Sequence, residues 1–542
     1  MKKLLVLFLA LMLSLCFTAC NLTETPDEPD TPDVPTEPEE PKEPAEPEEP
    51  EEPAPPKNDG SDKIHKITSS NGISSAILYD APSSDYISDD EYSAELSLDG
   101  KTFHKLEVWT ARVAMQHPDA IGTYTTHTTY FVNFDFEGEV TLRITHKSAG
   151  DVRIRPIDKS AYSTVGKTTL LTLDEAGQFS YEVGGDIYGN LQIFANPIEE
   201  FDRNADDTIY LGPGLYNADN CRYIKMEDKN GVRTPVFNIS SGVTLYLSGG
   251  AVLQAAVVIK DDDSSRLMGR GVIDMLMWNT PDNNRDTTLP YPSAIMISNS
   301  KNITVDGIII RNPSAYCING GNSSSVTVNN VKAIASMPWT DGFDVMACSD
   351  MTVKNSFFRT NDDCIAIYAS RWDNVGSSKN YTITNCVLWA DNAHAINIGS
   401  HGSGNATSPD VIENIKVKDI DILEVHSVNT TGAIRLHNGG ENILKDMSFE
   451  DIRMEFTLGD AIRLHFVKDN DTYGKLIQNI TFKNISAKHA LGEQSKIYVY
   501  GQDDNRIIDG ITFDNVTIEG VKVTESSGLV KKNAFAKNII YN

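Results

Sequence analysis

Five aspartates fall in the thirty residues "WTDGFDVMACSDMTVKNSFFRTNDDCIAIY", at Asp341, Asp344, Asp350, Asp362 and Asp363. The residues around them otherwise read as buried strand. Asp and Asn are favoured wherever a backbone bends, so turn-making explains some of these carboxylates. Asp341 and Asp362 lie 21 residues apart. In a repeat of about that length they would sit side by side on adjacent strands, ~4.8 Å apart. Asp363 would point away in a regular strand, and Asn361 allows the bend that brings it back. Three crowded carboxylates repel, and their pKa values separate into an acid and a base. A proton donor beside carboxylates that activate water is the equipment of two-carboxylate glycoside hydrolysis. Asp344 is expected to be structural or to support this set. Trp339, Trp372 and Trp389 stand close in sequence, and their flat faces suit sugar rings. Trp372, in the long loop "ASRWDNVGSSKN", is the first choice among them.

A repeated phrase must position these residues. "NITVDGIII", "SVTVNNVKA", "DMTVKNSFF", "NYTITNCVL", "NIKVKDIDI", "DMSFEDIRM", "NITFKNISA" and "GITFDNVTI" centre on residues 304, 327, 352, 382, 416, 448, 481 and 512. Successive centres differ by 23, 25, 30, 34, 32, 33 and 31. Each unit is a β-branched strand, an Asn or Asp, and a second short strand, with no helical period. This predicts a parallel β-helix over residues 201–542, with Ile, Val and Phe stacked inward coil on coil. Asn tolerates the left-handed bend between faces. The lengthening steps predict loops that wall a groove on one side.

Residues 62–200 show period-two runs such as "YFVNFDFEGEVTLRIT", which predict an antiparallel β-sandwich. The fold class expected is all-β, a right-handed parallel β-helix preceded by that sandwich. His104, His117, His127 and His146 are scattered through the sandwich without a ligand pattern. "KDDDSS" at residues 260–265 reads as a solvated loop, with a calcium site as the alternative.

Residues 1–20 read as a lipoprotein leader, an apolar run after Lys2 and Lys3 that ends on Cys20, the expected lipid anchor. Residues 21–61 form a Pro/Glu-rich spacer that cannot bury enough apolar surface to fold. Removing the leader's +2 and the spacer's −13 from the net −29 leaves −18 on the body. That balance argues against nucleic acid as a partner. The expected location is the outer face of a bacterial membrane, held only by the lipid, or the medium. Cys221, Cys317, Cys348, Cys364 and Cys386 form neither a disulfide framework nor a zinc pattern, although one bridge between coils is conceivable.

"WTDGFD", "NDDCIAI", "AHAINIGSHG" and "AIRLHN" resemble, in order and nearly in spacing, the motifs of the polygalacturonases of glycoside hydrolase family 28. The resemblance implies Asp362 as general acid, Asp341 and Asp363 holding the attacking water, His394 supporting the acid, Arg435 on the sugar, and inversion at the anomeric centre. His401 competes with His394. Five positions depart from the pattern. Trp339 replaces Asn, Asn361 replaces Gly, alanines flank His394, and His437 replaces the lysine that grips a uronate. "WTDG" and "NDD" are similar to family 49, the dextranases and isopullulanases, which also carry a sandwich. Arg435, His437, Trp339 and Trp372 are therefore the expected substrate-binding set. The expected activity is extracellular hydrolysis of an α-linked polysaccharide by a monomer without metal or cofactor, dextran-like glucan ahead of polygalacturonan. A β-helix polysaccharide lyase and a non-catalytic glycan-binding adhesin are the other classes.

Overall fold

The computed structural model describes residues 63–116, 124–157, 159–229, 231–276, 292–427, 432–469, 471–488 and 496–542. Cys20, the leader and spacer at 1–61, and His117 lie outside the described residues. No helix among the described residues is long and apolar enough to cross a membrane.

Two sheets form the sandwich. One runs, in order, through Ile64–Thr68, Ser75–Tyr79, Tyr124–Glu137, Leu191–Pro197, Gly177–Val183 and Val152–Arg155, with Trp109–Gln116 also paired to Tyr124–Glu137. The other holds His104–Leu106, Tyr92–Ser97, Val140–His146, Thr168–Leu173 and Ala161–Val165. Pairing is antiparallel except between Leu191–Pro197 and Tyr124–Glu137, which run parallel. The strand Tyr124–Glu137 is buried on both faces over 130–136. Val132, Phe134 and Phe136 enter the sandwich core, while Phe131 packs with apolar side chains of the β-helix.

From Thr208 onward the chain winds as a right-handed parallel β-helix. A 19-stranded sheet carries two strands of each early coil, and a 12-stranded sheet carries the third. The phrases recognised in the sequence lie in register. Thr304, Thr327, Thr352, Thr382, Lys416, Ser448, Thr481 and Thr512 pair in succession. Thr208, Thr244 and Arg266 continue the same row before them, in coils that lack the Asn signal. The bends are made by Asn and Asp at positive φ, among them Asn355, Asn385, Asp451, Asn484 and Asn515. Their side chains form ladders: Asn385 donates to Asn355 and Asn515 to Asn484, each at 2.9 Å. Ladders of this kind satisfy polar groups that the bends would otherwise leave unpaired.

In the 12-stranded sheet, alternate residues of Phe343–Met346, Ile365–Tyr368, Ile396–Gly399, Gly432–Asn438 and Asp460–Phe466 point inward as one continuous core. The other residues point outward and line the site. The sandwich covers a different face. Phe131, Phe194 and Trp109 pack there against Val272, Ile309, Phe357, Val387 and Trp389.

One expectation is corrected here. Trp389 is fully buried on the covered face, where its Nε1 donates to Asp391 at 2.8 Å and guanidinium carbons of Arg359 and Arg155 lie 4.0 and 4.7 Å from its ring. A sugar cannot reach it. The five cysteines are buried and free, so no bridge joins the coils.

Candidate active site

The carboxylates sit where each coil turns into the 12-stranded sheet. Register decides their neighbours. Phe343 pairs with Ile365 and Ile365 with Ile396. The Gly342 N–H donates to the Asp363 carbonyl and the Cys364 N–H to that of His394, both at 2.9 Å. Asp341, Asp363 and His394 are thus stacked on successive coils. The expected partner of Asp341 is Asp362, one position earlier. In the structure Asp363 takes that place, and Asp362 reaches the group from the bend. A Cβ at position 342 would come within 2.4 Å of the Cys364 carbonyl, so glycine is what lets the coils close at this point.

Asp341, Asp362 and Asp363 each bring a carboxylate oxygen within 4.8 Å of the other two. A water held between two such oxygens would lie within ordinary hydrogen-bond reach of both. Their environments differ. Asp363 Oδ1 accepts from the His394 backbone N–H at 3.1 Å and from His394 Nδ1 at 2.5 Å, and Oδ2 accepts from Asn397 at 2.8 Å. Burial alone would raise its pKa, but His394, Asn397 and the Arg435 charge overcome burial and hold it below the usual carboxylate range. Asp362 has no such set. Burial first, and then the Asp363 charge, push it up to about 8. Asp341 is raised well above its ordinary value by burial and by the charges of Asp362, Asp344 and Asp363. A part-exposed protonated acid therefore stands beside a buried ionised carboxylate at neutral pH.

Asp344 is pushed up to about 7 by burial, against the pull of Arg371, whose Nη1 donates to it at 3.2 Å. Arg371 comes from the long loop flagged for Trp372, and its charge relieves the crowding.

Arg435 fixes the imidazoles. Its Nη1 lies 3.0 Å from His394 Nε2 and its Nη2 lies 3.0 Å from His437 Nε2. A guanidinium only donates, so both Nε2 atoms accept, and His394 carries its proton on Nδ1, aimed at Asp363. Burial, Arg435 and the stacked His465 push the pKa of His437 far down, so the imidazole is neutral. His437 thus offers no cation where the resemblance expects lysine. One coil further, Arg463 and His465 stand in register with Arg435 and His437.

Trp339 is 42 % exposed and its backbone N–H bonds to Asp362. Trp372 is 63 % exposed, beside a groove of about 520 Å³ that is also lined by Arg371, Val375, His401 and Asp469. His401 bonds to Asp469 at 3.2 Å, and His394, expected to support the acid Asp362, is bonded instead to Asp363. At residues 260–265 the aspartates are engaged in local bonds: Asp262 accepts from Ser265 at 2.7 Å and Asp263 from Asn302 at 2.8 Å.

Sequence reading missed several neighbours. Asn397 and Tyr368 follow Asp363 by strand register, which becomes legible only once the coils are aligned. The Arg463 tier had a signal, since "AIRLH" occurs twice, starting at Ala433 and again at Ala461. Tyr124 had none. It sits on the sandwich strand paired with Trp109–Gln116, accepts from Asn392 at 3.4 Å, and has its pKa raised by burial and by the Asp362 charge.

Residues 248–536 match the model described as Glycosyl hydrolases family 28. A polygalacturonase of Chamaecyparis obtusa is 26 % identical over 290 residues, 49 % of this chain and 52 % of that protein. Polygalacturonase-2 of Solanum lycopersicum is 23 % identical over 264 residues, 46 % and 52 %. The chain spans about half the length of the curated relatives it matches. Among solved structures, Dex49A from Penicillium minioluteum aligns over 89 % of this chain and 100 % of its own with a TM-score of 0.55 at 15 % identity, a likeness of fold.

Proposed function

The chain belongs to glycoside hydrolase family 28, and from that premise we propose that it hydrolyses glycosidic bonds in an extracellular polysaccharide with Asp362 as general acid. The observation that carries the reading is the separation between Asp362, pushed up to about 8, and Asp363, held below its ordinary range, with Asp341 in the same group. Asp362 donates its proton to the leaving oxygen. Asp363, with Asp341 beside it, orients a water and takes up its proton as it attacks the anomeric carbon. His394 and Arg435 keep Asp363 ionised. Attack by water rather than by a carboxylate inverts the anomeric centre.

A neutral α-glucan of the dextran kind is the first substrate, because the neutral His437 gives a uronate no cation at that position. Polygalacturonan is the second. The Arg435–Arg463 pairing favours it, and so does the likeness to two polygalacturonases. Trp339 and Trp372 offer ring platforms.

The test is reducing-sugar release by the full chain on dextran, pullulan and polygalacturonan, with Asp362→Asn alongside and proton NMR of the first-formed anomer. Release that Asp362→Asn abolishes, with inverted product, is the result expected. An ultraviolet-absorbing unsaturated product would mean a lyase, and binding without release on any polymer would mean an adhesin.

A further inference from the structure

The 520 Å³ groove beside Trp372 falls within the ~300–1,000 Å³ usual for small-molecule clefts. Both of its walls are built. On one side, residues 371–374 are closed by reciprocal backbone bonds between Arg371 and Asn374 at 2.9 and 3.1 Å. The Arg371 guanidinium backs the Trp372 ring at 4.1 Å and Tyr316 meets it in a T-shaped contact at 6.2 Å, while the Trp372 side chain stays largely open to solvent. On the other side, the His401 carbonyl accepts from Asn442 at 2.6 Å, and the Gly402 N–H donates to Asp469 at 3.2 Å. His401 in turn meets Asp469 at 3.2 Å. Tyr368 packs edge-on against His401 at 4.9 Å, and its hydroxyl lies 3.5 Å from Asp363.

Charge limits what this groove can hold. Arg371 is the cation on its lining, and it is paired with Asp344. Asp469 accepts two hydrogen bonds, which help hold its pKa below the ordinary value, so it is ionised at neutral pH. A uronate would bring a second carboxylate against Asp469 without a free guanidinium to meet it. A neutral sugar would bring hydroxyls that donate to Asp469 and an apolar ring face for Trp372.

We propose that this groove is a separate subsite for one neutral sugar unit of the polymer, with the ring on Trp372 and hydroxyls on the His401–Asp469 pair, and that Asp469 excludes uronates from it. The assignment rests on the hydrolase reading for its role in catalysis, but binding in the groove needs no turnover.

Titration calorimetry on the full chain carrying Asp362→Asn, with isomaltotriose, maltotriose, xylotriose and trigalacturonate as probes, tests the assignment. At least one neutral trisaccharide binds at millimolar concentration or better. Trp372→Ala weakens it about tenfold, the step that separates a stacked ring from none. Trp372→Phe, which keeps an aromatic face, retains most of the affinity. Asp469→Asn weakens the neutral probe and strengthens trigalacturonate. With Asp362 restored, Trp372→Ala raises KM and leaves kcat within about twofold, as loss of uniform binding does. Binding of no neutral probe, or neutral binding that neither Trp372→Ala nor Asp469→Asn alters, overturns the subsite. The two readings fail separately. Absence of turnover on every polymer with Trp372-dependent binding intact would remove the hydrolase, whereas turnover with a KM unmoved by Trp372→Ala would remove the subsite.

Discussion

Two parts of this molecule bury carboxylates, and they treat them in opposite ways. Around Trp389, beneath the sandwich, carboxylates are matched with cations. Arg359 meets Asp391 at 2.9 Å, and Arg155 meets Glu182 at 2.7 Å and Glu424 at 2.8 Å. Glu424 ends below its ordinary pKa, since His426 and Arg155 outweigh its burial, while Glu455, at 3.7 Å from Arg155, is left raised. On the open side, Asp341, Asp344, Asp362 and Asp363 crowd together, with Arg371 and Arg435 as the nearby guanidiniums. Pairing makes a joint between two bodies. Crowding leaves protons bound at neutral pH, ready to move. The same residue type serves cohesion in one place and, in the proposed mechanism, chemistry in the other, and the number of partners within reach decides which.

The sharpest way to break the comparison is to remove one charge from each part. Asp362→Asn or Asp363→Asn is expected to lower turnover by about 10²–10⁴-fold, the range for an acid or base, with an unchanged circular dichroism spectrum. Arg359→Met leaves the buried Asp391 without its guanidinium and is expected to cost roughly 3–5 kcal/mol of stability. Thermal melting reads that loss, while turnover per folded molecule in the cold stays near that of the parent.

Acidity separates the two parts by sign. The folded pKa of Asp362, about 8, exceeds its unfolded value of 3.8. The native state therefore holds that proton more tightly, and this group makes stability fall as pH rises from about 4 to 8. Asp362→Asn is expected to flatten that fall and to melt a few degrees higher at alkaline pH. Glu424 has the opposite sign. Its folded pKa is lowered, so its contribution is present above its unfolded value of 4.5 and is lost as pH drops through the folded one. Turnover itself should decline as pH rises through about 8, where Asp362 loses its proton. Tyr124→Phe, which removes a hydroxyl near Asp362, should change kcat/KM by only ~0.5–1.5 kcal/mol in barrier terms. Chelation with EDTA should change nothing, because in the proposed mechanism side chains supply both acid and base.

Much of this fold was legible because its signals are periodic. The Thr304-to-Thr512 row and the Asn bends could be read from spacing, and both lie in register as read. The site was legible as a group of residue types, but not in its pairing. Adjacent aspartates at 362 and 363 look alike in sequence, yet a slip of one position decides which of them stacks on Asp341. Nothing local showed that Trp389 is buried, because its cover is the sandwich, a distant segment. Tyr124 was invisible for the same reason. No local pattern announces that a strand of one body ends beside the acid of another.

The constant row of paired residues from Thr304 to Thr512 has one more consequence. The step from Thr352 to Thr382 is longer than that from Thr304 to Thr327, yet the strands keep their register. Insertions are absorbed outside the spine, as in the loop that carries Arg371 and Trp372. Descent can therefore rewrite what the cleft grips while the carboxylates keep their place, so long as Arg371 stays paired with Asp344. Appetite and blade are inherited apart, and a graft of residues 372–376 onto a related coil would carry the first without dulling the second.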